Sequence, residues 1–545
     1  MNLIQSIGAK KVTVIFTVYL MANITYLLNI DGVYWDDWVA YNQEYSTLIR
    51  FYGEIMNTTH GYFSIVLSEV GNGIYGFRLA LFAMYFISGL MIIYILKNMR
   101  LFSSNAAYAV GFLYVMLPIF HTKAALSIIP FYFPVFLFFV AWYWLSRTID
   151  NLDWNHKVGI LFLFFVSFTT NSLLVFYALV LLYIFYKQFL ESGVDGTLIH
   201  KIRKFIGDNI EFILLPLLFF AFKLIYLKPN GEYASYNQLG VEVAKIVEAK
   251  DAFYLLMKVI SSLLSPLQHV ERSLAFAWQF GLIIAVITCI FLLVTKYGDK
   301  CQVKLTSYLS LLIIFTIGVV GVVLALFPYL AVGKLPTSMG WESRFQILAI
   351  LPTSLILYSL VVLGLRLVSV LLGNLIDDRH RNVLAVGVFS FFIAVFLARG
   401  LYDQHRLNVD WFYQAGIQQQ FVESPVITEN KTFVVDNKVR ASLAYSRQLM
   451  YYEWTGLLKQ AFGDDSRLMI PPFYLSRLSG MGTNQNYKQY NFSTWKMTPP
   501  ILVTIDYNQK MNRKMIAKLY LYRLFDYDKF VELAKGLVSL SYKEI

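Results

Sequence analysis

Charged residues are scarce in this sequence of 545 residues, since only 15% are Asp, Glu, Lys or Arg whereas 57% are hydrophobic. Soluble domains carry about 25% charged and about 45–50% apolar residues. The mean hydropathy of +0.55 therefore indicates a bilayer environment rather than one large water-soluble core. The net charge of +12 comes largely from short loops between apolar runs, which favours membrane topology over nucleic-acid binding as its cause.

Cysteine is also nearly absent. Cys289 lies in an apolar run and Cys301 in a short charged loop, so the sequence contains neither a disulfide framework nor a zinc-binding spacing. It also lacks a Walker-type phosphate loop, a G-x-G-x-x-G turn, an H-E-x-x-H pair and a G-x-S-x-G elbow. Sequence signatures of nucleotide-dependent, zinc-protease and serine-hydrolase chemistry are thus missing, and no metal site is predicted.

Long apolar runs recur throughout the first 402 residues, and a helix that crosses the hydrocarbon core needs about 20 such residues. The first run follows Lys10 and Lys11 without a convincing cleavage site, so we predict a span and not a removed signal peptide. The region 158–186 is predicted as one long helix or as two short helices that turn at 169–172. The eleven predicted spans are 12–30, 76–96, 105–120, 128–146, 158–170, 173–186, 210–227, 274–294, 305–328, 345–372 and 383–402.

Basic residues predict the orientation of these spans. They concentrate in alternate loops, as at Lys97, Arg203 and Lys204, which the positive-inside rule places in the cytoplasm. With eleven spans, the N-terminus is then cytoplasmic and the C-terminal part lies outside. A bacterial inner (cytoplasmic) membrane suits this arrangement, with the C-terminal part in the periplasm.

The composition changes to that of a soluble domain after residue 402. The predicted fold is therefore an α-helical polytopic membrane domain at 1–402, with about 11 transmembrane helices, followed by a small α/β domain at 403–545 on the outer side. Within that domain we predict strands at 432–435 and 501–505, a third strand candidate at 517–524, and helices at 441–462 and 527–541.

Two adjacent carboxylates directly follow the first predicted span. Asp36 and Asp37 lie between Trp35 and Trp38, at the bilayer edge, where a charge loses part of its hydration. Partial burial raises the pKa of a carboxyl group and suits it to general-base catalysis. Neighbouring residues on a helix point in different directions, so only one of the two is expected to face a substrate. A solvated interface turn anchored by the tryptophans is the alternative interpretation.

Candidate partners for this acidic pair lie in other predicted outer loops. Arg344, beside Trp341 and Glu342, precedes a late span, where a guanidinium can hold a phosphate and an indole can stack on a sugar. The alternative for Arg344 is a side chain that extends to lipid headgroups. Further candidates are Lys123 and His121 for phosphate contact. The candidates for substrate contact, besides Trp341, are Trp35, Trp38, His60, Tyr233, Tyr236 and Glu342.

With an acidic pair after the first of many spans, the sequence resembles the GT-C superfamily of membrane glycosyltransferases. The turn at 167–172 and Glu342-Ser343-Arg344 add to the likeness. The resemblance implies an inverting transferase on the outer face, with a polyprenyl-phosphate-linked sugar as donor and Asp36 or Asp37 as base or acceptor-orienting group. It implies a cell-envelope glycan, glycolipid or protein as acceptor, as in polysaccharide biosynthesis. No nucleic acid and no obligatory cofactor are expected, and a divalent metal ion beside the pair is compatible with the chemistry.

Three other functions stay open at the level of sequence. A flippase or transporter of lipid-linked sugars needs polar groups near mid-membrane, and Lys223 and the turn at Asn171 meet that need. A polysaccharide polymerase or ligase uses the same class of substrate, although the predicted outer loops contain few arginines. A noncatalytic assembly or sensor protein would use the C-terminal domain to bind a partner.

Overall fold

The computed structural model of the protein describes most of the chain. The substrate candidates Tyr233 and Tyr236, and the predicted span 274–294 beyond residue 279, lie outside the described residues. Those residues are 7–41, 43–54, 58–70, 73–191, 197–227, 270–279, 307–337, 339–372, 378–484 and 490–545, with single residues between some of these ranges.

Apolar helices dominate the first 402 residues. Within the described ranges, six helices are long and apolar enough to cross a membrane, and a bent pair, Leu198–Asp208 with Ile210–Tyr226, would make a seventh span. The chain is therefore a multi-pass membrane protein. The six helices lie at Ile74–Lys97, Leu126–Asn151, Ser172–Glu191, Tyr308–Leu330, Ile350–Val368 and Leu384–Glu423.

The predicted number of about 11 spans is not confirmed. Three of the predicted spans correspond to helices of 14, 13 and 14 residues, Ala9–Ala22, Ser104–Met116 and Trp154–Ser167. These are shorter than the about 20 residues that a bilayer core requires. The first of them breaks at Asn23 and continues as Ile24–Leu27.

The region 158–186 forms two separate helical parts, as the second of its two predicted alternatives had it. The helix Trp154–Ser167 ends in a turn, and the chain becomes helical again at Ser172–Phe176 and Ala178–Phe185. The hydroxyl groups of Ser172 and Tyr329 lie 3.1 Å apart, so the turn is joined to a neighbouring helix by a polar contact.

Three connections between the apolar helices carry the candidate residues. The first loop (31–73) contains the helices Asp37–Ala40, Tyr45–Glu54 and Thr58–Val70. The short loop (117–128) contains two 3₁₀ turns, His121–Ala124 and Leu126–Ile128. The late loop (331–349) contains the 3₁₀ helix Trp341–Gln346.

One helix of 46 residues, Asp378–Glu423, connects the membrane part to the C-terminal part. At about 1.5 Å per residue it is roughly 70 Å long, about twice the thickness of the hydrocarbon core. It contains the last predicted span and runs on without interruption past residue 403, where the sequence predicts a domain boundary. Its second half buries several polar side chains, among them Asp403, Asn408, Asp410 and Gln414.

The C-terminal part forms a four-stranded mixed sheet with helices packed against it. Strands β1 (Thr432–Asn437), β2 (Leu468–Ile470), β3 (Ile501–Tyr507) and β4 (Val538–Glu544) have the spatial order β2-β1-β3-β4. β1 is parallel to β2 and β3, whereas β4 is antiparallel to β3. The predicted α/β character and the strands at 432–435 and 501–505 are confirmed. The principal helices of this part are Tyr451–Phe462, Arg513–Phe525 and Tyr527–Lys535.

Three details of the predicted C-terminal domain are wrong. The strand candidate 517–524 lies in the helix Arg513–Phe525, which buries Met515, Leu519 and Arg523, a spacing of four that fits a helix and not a strand. The predicted helix 527–541 ends at Lys535, and β4 begins two residues after Gly536. The predicted helix 441–462 is α-helical only from Tyr451, because Tyr445 and Ser446 take positive φ angles.

Candidate functional site

The acidic pair lies in a tight turn at the start of the first loop. Trp35 takes a positive φ of 51°, a conformation that costs a non-glycine residue on the order of 1–3 kcal/mol. This conformation directs the Trp35 N–H to Glu453 Oε1, 3.1 Å away. The helix Asp37–Ala40 begins immediately afterwards, so Asp36 and Asp37 leave the backbone in different directions.

Asp37 is buried, with 1% of the residue exposed. Its Oδ1 accepts hydrogen bonds from the Ser127 N–H at 2.8 Å and the Ser127 hydroxyl at 2.7 Å, and its Oδ2 accepts from the Tyr34 N–H at 3.2 Å. Burial raises the pKa of Asp37 to about 6, although these hydrogen bonds act in the opposite direction. Asp37 therefore fastens the first loop to the short loop.

Asp36, in contrast, has 43% of its side chain exposed. The Tyr452 hydroxyl donates to Asp36 Oδ1 at 2.9 Å, and Arg344 Nη1 lies 3.8 Å from Asp36 Oδ2. Partial desolvation raises the pKa of Asp36, while the charge of Arg344 and the hydrogen bond from Tyr452 lower it. Of the two predicted carboxylates, Asp36 is the one that a substrate can reach.

Arg344 is held against aromatic rings of the late loop. Its guanidinium lies 4.1 Å from the Trp341 ring centre and 4.9 Å from that of Phe345, and Glu342 Oε1 is 3.6 Å from Nη2. Trp341 in turn stacks on Trp35 with 5.6 Å between ring centres. The structure therefore brings the predicted residues of the first loop and the late loop together, with two indoles beside the charged pair.

The C-terminal domain supplies residues to this site that the sequence did not single out. Arg447 donates from Nε to Asp410 Oδ2 at 2.7 Å and forms a close ion pair with Glu453, and its guanidinium lies 5.4 Å from the Trp35 ring centre. All three charged groups are buried. Tyr452 and Glu453 are more than 400 positions from Asp36 in sequence, so no local pattern links them to it.

Lys123 and His121 point toward a different recess. The Lys123 ammonium donates to Asn23 Oδ1 at 2.6 Å, and His121 Nδ1 lies 3.0 Å from Asp403 Oδ2. These residues line a recess against the long helix, together with Gly400. Burial lowers the pKa of Lys123 to about 8. The short loop and the late loop are nevertheless adjacent, because the N–H of Thr122 donates to the Ser343 hydroxyl at 3.2 Å.

Two further substrate candidates are buried. Trp38 is 1% exposed, donates from Nε1 to Gln414 Oε1 at 3.3 Å and packs on Trp411. His60 is 2% exposed and lies between aromatic rings, and burial lowers its pKa to about 3. Both side chains pack in the interior, so neither faces the half-exposed surface beside Asp36.

A metal site finds no support in the described part of the chain. No group of three or more His, Cys, Asp and Glu side chains converges there. Asp37 has both oxygens in hydrogen bonds, which leaves Asp36 as the single half-exposed carboxylate of the pair. The expectation that no cofactor is required stays a prediction.

The fold and the site define a multi-pass membrane protein in which an α/β domain covers a charged, tryptophan-lined site. No protein-family profile and no curated protein matches the chain. Among solved structures it is similar to the oligosaccharyltransferase of Archaeoglobus fulgidus in complex with zinc and sulfate (TM-score 0.42, 12% identity, 90% of this chain and 67% of that chain). It is also similar to ArnT of Cupriavidus metallidurans bound to undecaprenyl phosphate (TM-score 0.38, 12% identity, 91% of this chain and 92% of that chain covered).

A third similar structure is the archaeal oligosaccharyltransferase AglB of Archaeoglobus fulgidus, in complex with an inhibitory peptide and a dolichol-phosphate (TM-score 0.39, 12% identity, 98% of this chain and 74% of that chain covered). At these TM-scores the likeness carries no inference about activity, which has to follow from the residues of the site.

Proposed function

We propose that the chain is a membrane glycosyltransferase that moves a sugar from a polyprenyl-phosphate donor to a cell-envelope glycan, glycolipid or protein, with inversion at the anomeric carbon. The observation that carries this proposal is a half-exposed carboxylate, Asp36, 3.8 Å from the guanidinium of Arg344. Such a pair unites a proton acceptor and a phosphate ligand, the two groups that this transfer needs.

Asp36 is the general base of the proposed reaction. Its carboxylate takes the proton of an acceptor hydroxyl while that oxygen forms a bond to the anomeric carbon. The bond between the anomeric carbon and the phosphate oxygen breaks, and the lipid phosphate leaves with the electron pair. Attack from the face opposite the leaving group inverts the anomeric configuration. The exposed face of Asp36 supports this role, whereas the three hydrogen bonds to buried Asp37 support a positioning role.

Arg344 is the proposed ligand of the donor phosphate. Its distance of 3.8 Å from Asp36 exceeds hydrogen-bonding distance, so the pairing leaves guanidinium donors that can turn to phosphate oxygens. Charge on the bridging oxygen grows as the lipid phosphate leaves, and a cation held there stabilises that change. Trp341 is partly exposed beside the pair and is proposed to contact the sugar, whereas Trp35, on which it stacks, is buried and supports Trp341 from below the surface.

Lys123 and His121 are retained as a second phosphate contact. Their recess adjoins the late loop through the Thr122–Ser343 hydrogen bond. Glu342, 3.6 Å from Arg344, is proposed to orient the guanidinium.

The test supplies purified protein with polyprenyl-phosphate sugars and envelope extracts and follows release of the lipid phosphate. Asp36→Asn and Arg344→Ala are expected to lower turnover by about 100-fold or more, the contribution of a general base or a charge-stabilising group. Asp436→Asn replaces a carboxylate of the C-terminal domain that is similarly half-exposed and paired with a cation, Lys438, and this control variant retains turnover. Undiminished transfer in both site variants would refute the proposal, and lipid translocation without transfer would favour a flippase.

A further inference from the structure

The helix Leu198–Asp208 has no buried residue. Four of its apolar side chains are instead exposed, with Ile199 at 79%, Leu198 at 60%, Ile206 at 47% and Ile202 at 43%. A helix of 11 residues with this much exposed apolar surface is unfavourable in water. Something apolar must cover that face.

Apolar and polar side chains lie on opposite faces of this helix. At about 100° per residue, Leu198, Ile199, Ile202, Phe205 and Ile206 occupy an arc of about 120°, which is the width of an apolar helix face. The remaining positions include three cations, Lys201, Arg203 and Lys204. None of these three pairs with a carboxylate among the residues that the structure describes.

The orientation of the helix is fixed by a corner at Asn209. The next helix, Ile210–Tyr226, leaves at 62°, and Asn209 is buried and donates to Gln188 Oε1 at 2.7 Å and to the Phe205 carbonyl at 3.2 Å. Phe205 also packs edge-on against Phe185, 5.5 Å between ring centres. The sequence predicts the span at 210–227, which is the second helix of the bent pair. Membrane spans tilt by about 20° from the bilayer normal on average, so with an upright span a helix bent away by 62° lies nearer to the membrane plane than to the bilayer normal.

We infer that Leu198–Asp208 is an interfacial helix that binds the surface of a leaflet rich in anionic phospholipid. The four exposed residues of its apolar arc, Leu198, Ile199, Ile202 and Ile206, enter the boundary between headgroups and acyl chains. Lys201, Arg203 and Lys204 pair with the headgroup phosphates. The absence of carboxylate partners in the described part of the chain and the fixed corner favour a lipid surface over a protein groove, since a lipid leaflet offers negative charge along the whole face.

The depth of the helix is measured with nitroxide labels on the full chain, in a background with Cys289→Ser and Cys301→Ser. Labels at Ile202→Cys and Arg203→Cys are compared in nanodiscs that contain phosphatidylglycerol. The label at 202 is expected to collide mainly with oxygen, as in acyl chains, and the label at 203 mainly with a water-soluble nickel reagent. Equal exposure of both labels to nickel, or shielding of 202 from both reagents, would overturn the inference.

The choice of lipid is measured by native mass spectrometry of the purified chain with phosphatidylglycerol or phosphatidylcholine. Replacement of Lys201, Arg203 and Lys204 by Gln is expected to weaken phosphatidylglycerol retention, since each basic residue near an anionic surface contributes roughly fivefold. The matched control replaces Arg513, Lys514 and Lys518, three exposed basic residues of the C-terminal domain, by Gln. Its retention of phosphatidylglycerol is expected to equal that of the wild type. Equal retention of the two lipids by the wild type contradicts an anionic-lipid surface.

Discussion

The Asp36 carboxylate lies between a cation and a hydroxyl donor, and each of them favours its ionised form. Replacement of Tyr452 by Phe removes the 2.9 Å hydrogen bond and leaves the ring in place, so the pKa of Asp36 rises. A general base works in its ionised form, and activity falls as pH drops through its pKa. The acidic limb of the rate–pH profile is therefore expected to move to higher pH in Tyr452→Phe.

The matched control for this prediction is Tyr542→Phe, which removes a hydroxyl that donates to Ser424 at 2.6 Å in the same domain, away from Asp36. Its rate–pH profile is expected to coincide with that of the wild type. An unmoved acidic limb in Tyr452→Phe, with transfer still measurable, would show that Tyr452 does not act on the base.

The raised pKa of the buried Asp37 leads us to expect that the stability of the protein depends on pH. Burial raises the pKa of Asp37 from 3.8 to about 6, so its contribution to stability is fully present below pH 3.8 and is lost as pH rises through about 6. The size is roughly 3 kcal/mol, from about 1.4 kcal/mol per pKa unit. Asp37→Asn lacks this titration. The unfolding temperature of Asp37→Asn, relative to that of the wild type, should therefore rise between pH 4 and pH 7. A difference in unfolding temperature that stays constant across this range would contradict the account.

At the scale of elements, the helix Tyr451–Phe462 rests on the first loop at Gly456. A Cβ added there would lie 2.6 Å from Trp38 Cε3, and the buried indole cannot move aside easily. Gly456→Ala is expected to cost about 1–3 kcal/mol through overpacking, and to lower transfer because the same helix carries Tyr452. Thermal unfolding measures the first effect, and Gly480→Ala, where nothing lies within 4 Å, is the control. Equal stability of the two variants would contradict this packing.

The elements themselves were predictable where a single periodicity dominates. The apolar runs predict the helices Ile74–Lys97 and Tyr308–Leu330, and the run 432–435 predicts β1. The strand prediction at 517–524 is wrong because Leu and Tyr alternate there, a pattern that is typical of a strand. The buried positions Met515, Leu519 and Arg523 instead follow the spacing of a helix. β2 has three residues, too few to show any period.

At the scale of the whole molecule, Arg447 joins the long helix to the C-terminal domain, because it pairs with Asp410 and Glu453 in the interior. Arg447→Met leaves two buried carboxylates without their cation and is expected to destabilise the protein by about 3–5 kcal/mol. Lys438→Met removes an exposed pair with Asp436 and should cost about 1 kcal/mol or less. Comparable losses in chemical unfolding of the two variants would show that Arg447 is not the link.

The site was predictable only in part, for a physical reason. Asp36 and Arg344 could be nominated because each is a charge at the end of an apolar run, where burial is costly without a function. Tyr452, Glu453 and Arg447 belong to a stretch of mixed polar and apolar residues in the C-terminal domain that carries no site motif. Their role arises from the fold, which lays that domain over the first loop, and one sequence contains no signal of a contact across more than 400 positions.

The most direct test of the central claim separates binding from turnover. Native mass spectrometry of the purified chain with undecaprenyl phosphate is combined with the transfer measurement on the same preparations. Arg344→Ala is expected to lose about tenfold or more in lipid-phosphate binding, from the loss of charge-assisted hydrogen bonds, whereas Asp36→Asn binds the lipid and does not turn over. Arg477→Ala, an exposed arginine of the C-terminal domain, should behave as the wild type. Wild-type binding by Arg344→Ala, or wild-type turnover by Asp36→Asn, would contradict the account.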